Sequence, residues 1–355
     1  MAATARTPGT PNPLDRLGAY VLPGRVADPR AAVGQATTAE HLGLGTIWIS
    51  ERYGTKDLGV LGGAIAQATS HAKIASGISH FAFRHPLALA SMAMTMQSLS
   101  GERFMFGVGR STAPMWKAVG LPAMTNQVLV DFAEMFRTLC KGGKVRYDGP
   151  AGKFPSLRLG DLPDVAPPPI LLAGIGPKTL DLAGTHFDGT ILHPMLTTEA
   201  VSRAATRVRA AAEAAGRDPE SVKVYATVVT APDLTAAQEA AVVGGRAVTY
   251  YQIPEFGELL AGVNGFDPAE LTKLRAHPML EGLRGAADTA FTKDQLAEVA
   301  ASLPRHWLED GTATGSAATC ARRLQEYLDA GADELVIHGA VPDLLGPTLQ
   351  HFVDR

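Results

Sequence analysis

Four short stretches, Ser50–Tyr53, Gly77–Pro86, Gly107–Ser111 and Gly174–Thr179, combine glycine, hydroxyl and charged side chains in ways that could hold an anion or move a proton. In Gly174-Ile175-Gly176-Pro177-Lys178-Thr179, glycines expose backbone amides ahead of a proline suited to a first helical turn, and Lys178 adds a cation. Free N–H groups and the helix dipole favour phosphate at such a place. The stretch lacks the full Gly-x-Gly-x-x-Gly spacing of a dinucleotide fingerprint, so its phosphate reading rests on local chemistry alone. Gly107 and Gly109 flank Val108 and would let the backbone approach a flat ring or a phosphate tail. Arg110 follows, for an anionic tail or for solvent. Glu51, in Ser50-Glu51-Arg52-Tyr53, could contact a cofactor, transfer a proton, or pair with a neighbouring base. His193 and His338, with Tyr20, complete the set. Each histidine could act as acid or base near neutral pH, or serve as a hydrogen-bonded structural group.

Other chemistries find less support. His80 and His85 have neither the His-x-His spacing of a barrel metal site nor a recognisable carboxylate partner, so no metal is expected. His85, in Arg-His-Pro, reads as a packed residue before a helix. Cys140 and Cys320 are too few and too far apart for a disulfide scaffold or a zinc site, which fits a reducing cytoplasm. The balance of 35 acidic against 32 basic residues, for a net charge of −3, gives no footprint for nucleic acid or an anionic membrane. With 46% hydrophobic and 19% charged residues the chain can bury a full core, and a small-molecule substrate becomes the expectation. No run approaches the roughly 20 apolar residues of a membrane span, and residues 1–16, rich in Thr, Pro and Gly, read as a flexible tail without a secretory h-region.

These residues matter because of what precedes them. Short apolar runs alternate with helical patterns, the signature of parallel strands joined by crossover helices. Strands are expected at Gly18–Leu22, Thr46–Ser50, Lys73–Ser76, Arg103–Gly107, Pro169–Ala173, Asp188–Leu192, Val222–Val228 and Glu334–His338. KGGKVRYDGPAGKF reads as a surface hairpin. Eight strand–helix units in 355 residues match a (β/α)8 TIM barrel, whose sites lie at the C-terminal strand ends, where all four stretches fall. Residues 17–355 are then one barrel domain. An insertion at 245–310, between the seventh and eighth strands, would be a lid, with Tyr250, Tyr251, Phe256 and Trp307 as an apolar cover or as its own core.

At this point the chain resembles the luciferase-like monooxygenase superfamily, and within it the branch that uses the deazaflavin coenzyme F420. The resemblance spans almost the whole chain after the tail. It is carried by GISHFAFRHPLALA, similar to the family's GxTxPxxRHPxxxA segment, by LSGERFMFGVGRS, and by ILLAGIGPKTLDLAGTHFDG with GSAATCARRLQEYLDAGADELVIHGA. It implies that Ser76, Gly77, Ile78 and Ser79 form a backstop for the deazaflavin through a cis Gly77–Ile78 bond. It also implies a homodimer, with Gly107, Gly109, Arg110 and Gly174 to Thr179 at the cofactor.

Proton transfer departs from the family. Sugar-phosphate dehydrogenases of this branch place an Asp-His pair after the second strand and an acid after the fourth; the matching positions here are Glu51-Arg52 and Thr112. Leu303-Pro304-Arg305-His306-Trp307-Leu308-Glu309-Asp310 carries acids where those enzymes hold a sugar phosphate, which argues against glucose 6-phosphate. The expectation is an F420-dependent oxidoreductase passing a hydride between the deazaflavin C5 and an organic substrate, with Glu51, His193 and His338 as candidate catalytic groups. Alternatives are an FMN-dependent monooxygenase of the same fold and a protein that binds a flavin or deazaflavin without turnover.

Overall fold

The computed structural model describes residues 12–24, 28–52, 56–111, 116–117, 119–283 and 287–355. Of the expected tail, residues 1–11 lie outside this set, but 12–16 are built into the fold. Asn12 Oδ1 caps a short 3-10 turn, Pro13–Arg16, and the Arg16 guanidinium donates to the carbonyls of Ala332 and Asp333 at 2.8 and 2.9 Å.

The strands are β1 (Leu17–Val21), β2 (Thr46–Ile49), β3 (Lys73–Ser76), β4 (Phe104–Val108), β5 (Val145–Gly149), β6 (Gly152–Leu157), β7 (Ile170–Gly174), β8 (Gly189–Leu192), β9 (Lys223–Pro232), β10 (Thr312–Gly315) and β11 (Glu334–Gly339). In the main sheet they run in the order β10-β9-β11-β1-β2-β3-β4-β7-β8, with β8 also paired to β9. Eight of them form a closed parallel barrel, the expected TIM-barrel fold, and all eight expected strands are present. β5 and β6 are the expected hairpin, antiparallel and separate from the barrel. β10 is an additional strand. It pairs with Val229–Pro232, which prolongs β9 beyond its expected end at Val228.

The chain divides into two compact units, one of Trp48–Ile191 with Arg207–Lys223, the other of the remaining residues. In the second, α1 (Ala31–His41) follows β1; in the first, α2 (Leu58–Ala68), α3 (Pro86–Ser100) and α4 (Asn126–Cys140) alternate with the strands. Phe132 and Phe136, one turn apart on α4, share a face. They stack on Phe81 and Phe106 at 5.5 and 5.1 Å, an aromatic core for this unit. Arg103, just before β4, donates to Ala66 O and Thr69 O at the end of α2 and to Ser100 O and Ala72 O, satisfying carbonyls that a helix end leaves open. His85 is the N-cap of α3, its Nδ1 accepting from Leu87 N at 3.3 Å with Pro86 at the first helical position; it is exposed, so its structural role is capping rather than the expected packing.

In the second unit, β11 pairs with β1 and β9, for example Gly18↔Val336 and Ala226↔Leu335. Between β9 and β10 the chain is helical from Ala236–Glu239 to Arg305–Asp310, so the extra material begins before the expected position 245. Its core is aromatic. Trp307 stacks on Phe266 at 4.9 Å and meets Tyr251 at 5.0 Å, both Trp307 and Tyr251 being fully buried.

Candidate active site

The strand ends of the first unit are held by an ionic cluster. Glu51, after β2, keeps only 6% of its side chain exposed. Its Oε1 accepts from Arg84 Nη2 at 2.5 Å and from Leu58 N, at the start of α2, at 3.2 Å, and its Oε2 accepts from Ser79 Oγ. Arg84 also pairs with Asp57 Oδ2 at 2.6 Å, and Asp57 Oδ1 caps α2 through Val60 N. The structure therefore displays the ion-pair alternative for Glu51. Its carboxylate joins the β2 end, the Ser79 loop and α2, and has no donor-free oxygen to offer as a base. Arg84 is the partner that sequence spacing could not supply, although it stands in the quoted Arg-His-Pro run.

Ser76 to Ser79 form an arch over the end of β4. The Gly77–Ile78 peptide is cis, as the resemblance implies. Ser76 Oγ accepts from Gly107 N and donates to Gly107 O, each at 2.8 Å, while Ser79 N donates to Gly107 O and Gly109 N to Ser79 O. Here the glycines differ from expectation in their reason. A Cβ on Gly107 would lie 2.0 Å from Ser76 O, and one on Gly109 would lie 2.1 Å from Ile78 Cδ1. The close approach that requires glycine is made by the protein's own arch. His80, beyond it, is buried and stacked on Phe83 at 4.7 Å; burial lowers its pKa, opposed by the Arg110 backbone and the Glu51 charge.

The phosphate candidate stands at a helix start. Gly176 is the N-cap of α5 (Pro177–His186) and no side chain caps it; Pro177 lacks an N–H, the Thr179 and Leu180 amides donate to Gly176 O at 3.0 and 3.1 Å, and the Lys178 amide remains for a ligand. Arg110, from the β4 end, donates through Nη2 to Thr179 Oγ1 at 3.2 Å and to Asn126 Oδ1 at 2.7 Å, and burial pulls its pKa down. Lys178 is exposed, and Gly174 packs against Leu180 and Thr190. Arg110, Thr179 and the α5 N-terminus thus lie together, a grouping the chain shows only as separate motifs.

In the second unit, His193 follows β8. Its Nδ1 donates to Pro194 O at 2.7 Å, and its ring is met edge-on by Tyr250 at 4.4 Å and Phe256 at 5.0 Å. Burial pushes its pKa down to about 4, so it is neutral at physiological pH, which departs from the expected near-neutral acid or base. Of the four aromatics expected as a cover or as core, Tyr250 and Phe256 accompany His193, and Tyr251 and Trp307 are core. His338 meets Tyr20 edge-on at 5.0 Å. Burial raises the Tyr20 phenol, Tyr250 adds to this, and Arg246 opposes it. Arg246 itself pairs with Asp288 at 3.2 Å and bonds Tyr250. Arg246 and Asp288 had no sequence signal.

Among the described residues no cluster of potential metal ligands is present, and no helix is long and apolar enough to cross a membrane. Thr112 and Tyr53 lie outside the described residues. Two surface cavities, of about 510 and 740 Å³, contain none of the expected catalytic or cofactor-binding residues, although Trp307 lines the first.

Against known proteins, the chain is 26% identical over 312 residues to 5,10-methylenetetrahydromethanopterin reductase of Methanolobus tindarius, covering 85% of this chain and 87% of that one. It is 27% identical over 230 residues to the F420-dependent hydroxymycolic acid dehydrogenase of Mycobacterium tuberculosis, covering 60% and 62%. The solved coenzyme F420-dependent tetrahydromethanopterin reductase of Methanopyrus kandleri superposes with a TM-score of 0.77 at 19% identity, covering 96% of this chain and 98% of that one, which supports the barrel. The luciferase-like monooxygenase family model matches residues 10–334, and the chain belongs to that family of oxidoreductases.

Proposed function

We propose that this chain is an F420-dependent oxidoreductase acting on a small organic substrate. The observation that carries the reading is the start of α5, where the Lys178 amide and side chain, the Thr179 hydroxyl and the Arg110 guanidinium make a donor set suited to the phosphate of an anionic cofactor tail. An acidic or apolar lining there would not fit such a group, whereas Arg110 and Lys178 make this one basic. Gly174 to Thr179 with Arg110 would hold the tail, and the Ser76–Ser79 arch, with Gly107 and Gly109 behind it, would back the ring. Relatives whose names specify F420 favour the deazaflavin over FMN.

When bound, F420 supplies hydride exchange at its C5. The chain's own contribution is orientation. Glu51 fixes the Ser79 loop against α2 through its bonds to Ser79, Arg84 and Leu58, so the arch is presented in one conformation. A homodimer belongs to the same proposal and is checked by light scattering.

Turnover tests the proposal. Reduced and oxidised F420 are each mixed with the protein and a panel of alcohols and carbonyl compounds, following deazaflavin absorbance and dissolved oxygen together. The expected result is a substrate-dependent absorbance change without oxygen uptake. Oxygen uptake with reduced FMN, and no change with F420, would instead make the chain a monooxygenase.

A further inference from the structure

The turn after β8 is held more firmly than a connecting loop requires. Met195 has φ +70°, a left-handed conformation that is unfavourable for a non-glycine residue and persists only where surroundings over-determine it. Asn264 Nδ2 donates to Met195 O at 2.8 Å while Asn264 Oδ1 accepts from Thr197 N at 3.0 Å, so one amide clamps both sides of the turn. Tyr327 OH donates to Leu196 O at 2.7 Å. Gly311 leaves room for the Met195 carbonyl, from which a Cβ would be 2.8 Å away.

The consequence falls on His193. Its Nδ1 faces the Pro194 carbonyl, which can only accept, so Nδ1 carries the proton and Nε2 the lone pair. No described residue bonds Nε2, and the residue is half-buried rather than sealed. Tyr250 and Phe256 form apolar walls beside it. With its pKa pushed down to about 4, the ring keeps that lone pair throughout the neutral range. A donor meeting Nε2 would therefore be accepted, whereas a ketone or ether oxygen would find no proton. Arg246, bonded to Tyr250, is itself paired with Asp288, so the apolar walls set the donor, and a neutral hydroxyl fits them where an ammonium group would be desolvated without a counter-charge.

We propose that His193 Nε2 accepts a hydrogen bond from a hydroxyl group on the organic substrate, and that Asn264 is the positioning residue that fixes the ring for it. The claim rests on the oxidoreductase reading only in treating the bound molecule as a reactant.

The test uses the full-length chain labelled with ¹⁵N-histidine, with and without added F420, and cyclohexanol and cyclohexyl methyl ether as probes. His193 signals are assigned by their loss in His193→Phe. An Nδ1–H tautomer, an Nε2 resonance moved by cyclohexanol and not by the ether, and cyclohexanol binding weakened about three- to tenfold in His193→Phe are expected. Asn264→Asp keeps the acceptor for Thr197 N and loses the donor to Met195 O, and should give mixed tautomers. An Nε2–H tautomer, equal responses to the two probes, or no response to either overturns the proposal. An unchanged tautomer in Asn264→Asp overturns the role of Asn264. Since the readout persists without cofactor, failure of F420 to bind would remove the proposed function and leave this result standing.

Discussion

The two units treat the polar groups at their strand ends in opposite ways. After β2, Glu51 spends both oxygens on Ser79, Arg84 and Leu58, and what remains is a rigid ionic joint. After β8, His193 spends one nitrogen on Pro194 and leaves the other without a bond to any described residue. A polar residue at a strand end is thus not yet a reactive one. The atom left open after internal bonds are counted is what can meet a ligand, and of these two residues His193 is the one whose ring keeps such an atom.

The largest effect that could break this contrast is on Glu51. Glu51→Ala leaves the mostly buried Arg84 guanidinium with Asp57 alone, and should cost about 3–5 kcal/mol in urea unfolding. Unchanged stability would mean that the carboxylate is free for chemistry after all. Next come the arch glycines. Gly107→Ala drives a Cβ into the Ser76 backbone, which cannot give way, and should cost at least about 1–3 kcal/mol; Gly109→Ala meets only the tip of the Ile78 side chain and should cost less. The reverse order would show that the close approach is not set by the arch.

On the His193 side the expected effect is a pH dependence. Its folded pKa of about 4 lies below the ordinary histidine value, so the unfolded chain binds more protons between them. Stability from this group is complete above about pH 6.5 and falls as pH drops toward 4, by roughly 1–3 kcal/mol. His193→Phe should flatten that part of the thermal-unfolding pH profile, and an identical slope in the variant would contradict the burial. The smallest effect is a silence common to both units. Burial pushes Cys140 and Cys320 up to about 12, so neither should react with an aromatic disulfide at pH 8 until the protein is denatured. Rapid labelling of the native protein would locate an opening in one unit.

The barrel was legible because its strands are apolar runs punctuated by helical periodicity, a pattern local to each segment. β10 was not. Thr312-Ala313-Thr314-Gly315 has only one aliphatic side chain, and it becomes a strand only because β9 runs long enough to pair with it. Arg16 shows the same limit, since its anchoring carbonyls at Ala332 and Asp333 are remote in the chain. At the site, single motifs such as Gly176-Pro177-Lys178 were readable through helix-start chemistry, and His193 through its place after a strand. The partners that decide what each can do, Arg84 for Glu51 and Asn264 for the His193 turn, come from distant segments with no spacing signal.

The central claim is the identity of the cofactor, and parallel titrations of the purified protein with coenzyme F420 and with FMN, read by quenching of intrinsic fluorescence at moderate salt, address it most directly. Micromolar or tighter Kd for F420, much weaker binding of FMN, and a loss of F420 affinity of roughly tenfold in an Arg110→Ala, Lys178→Ala double variant are predicted. Preferential binding of FMN, or no binding of either, would contradict the account.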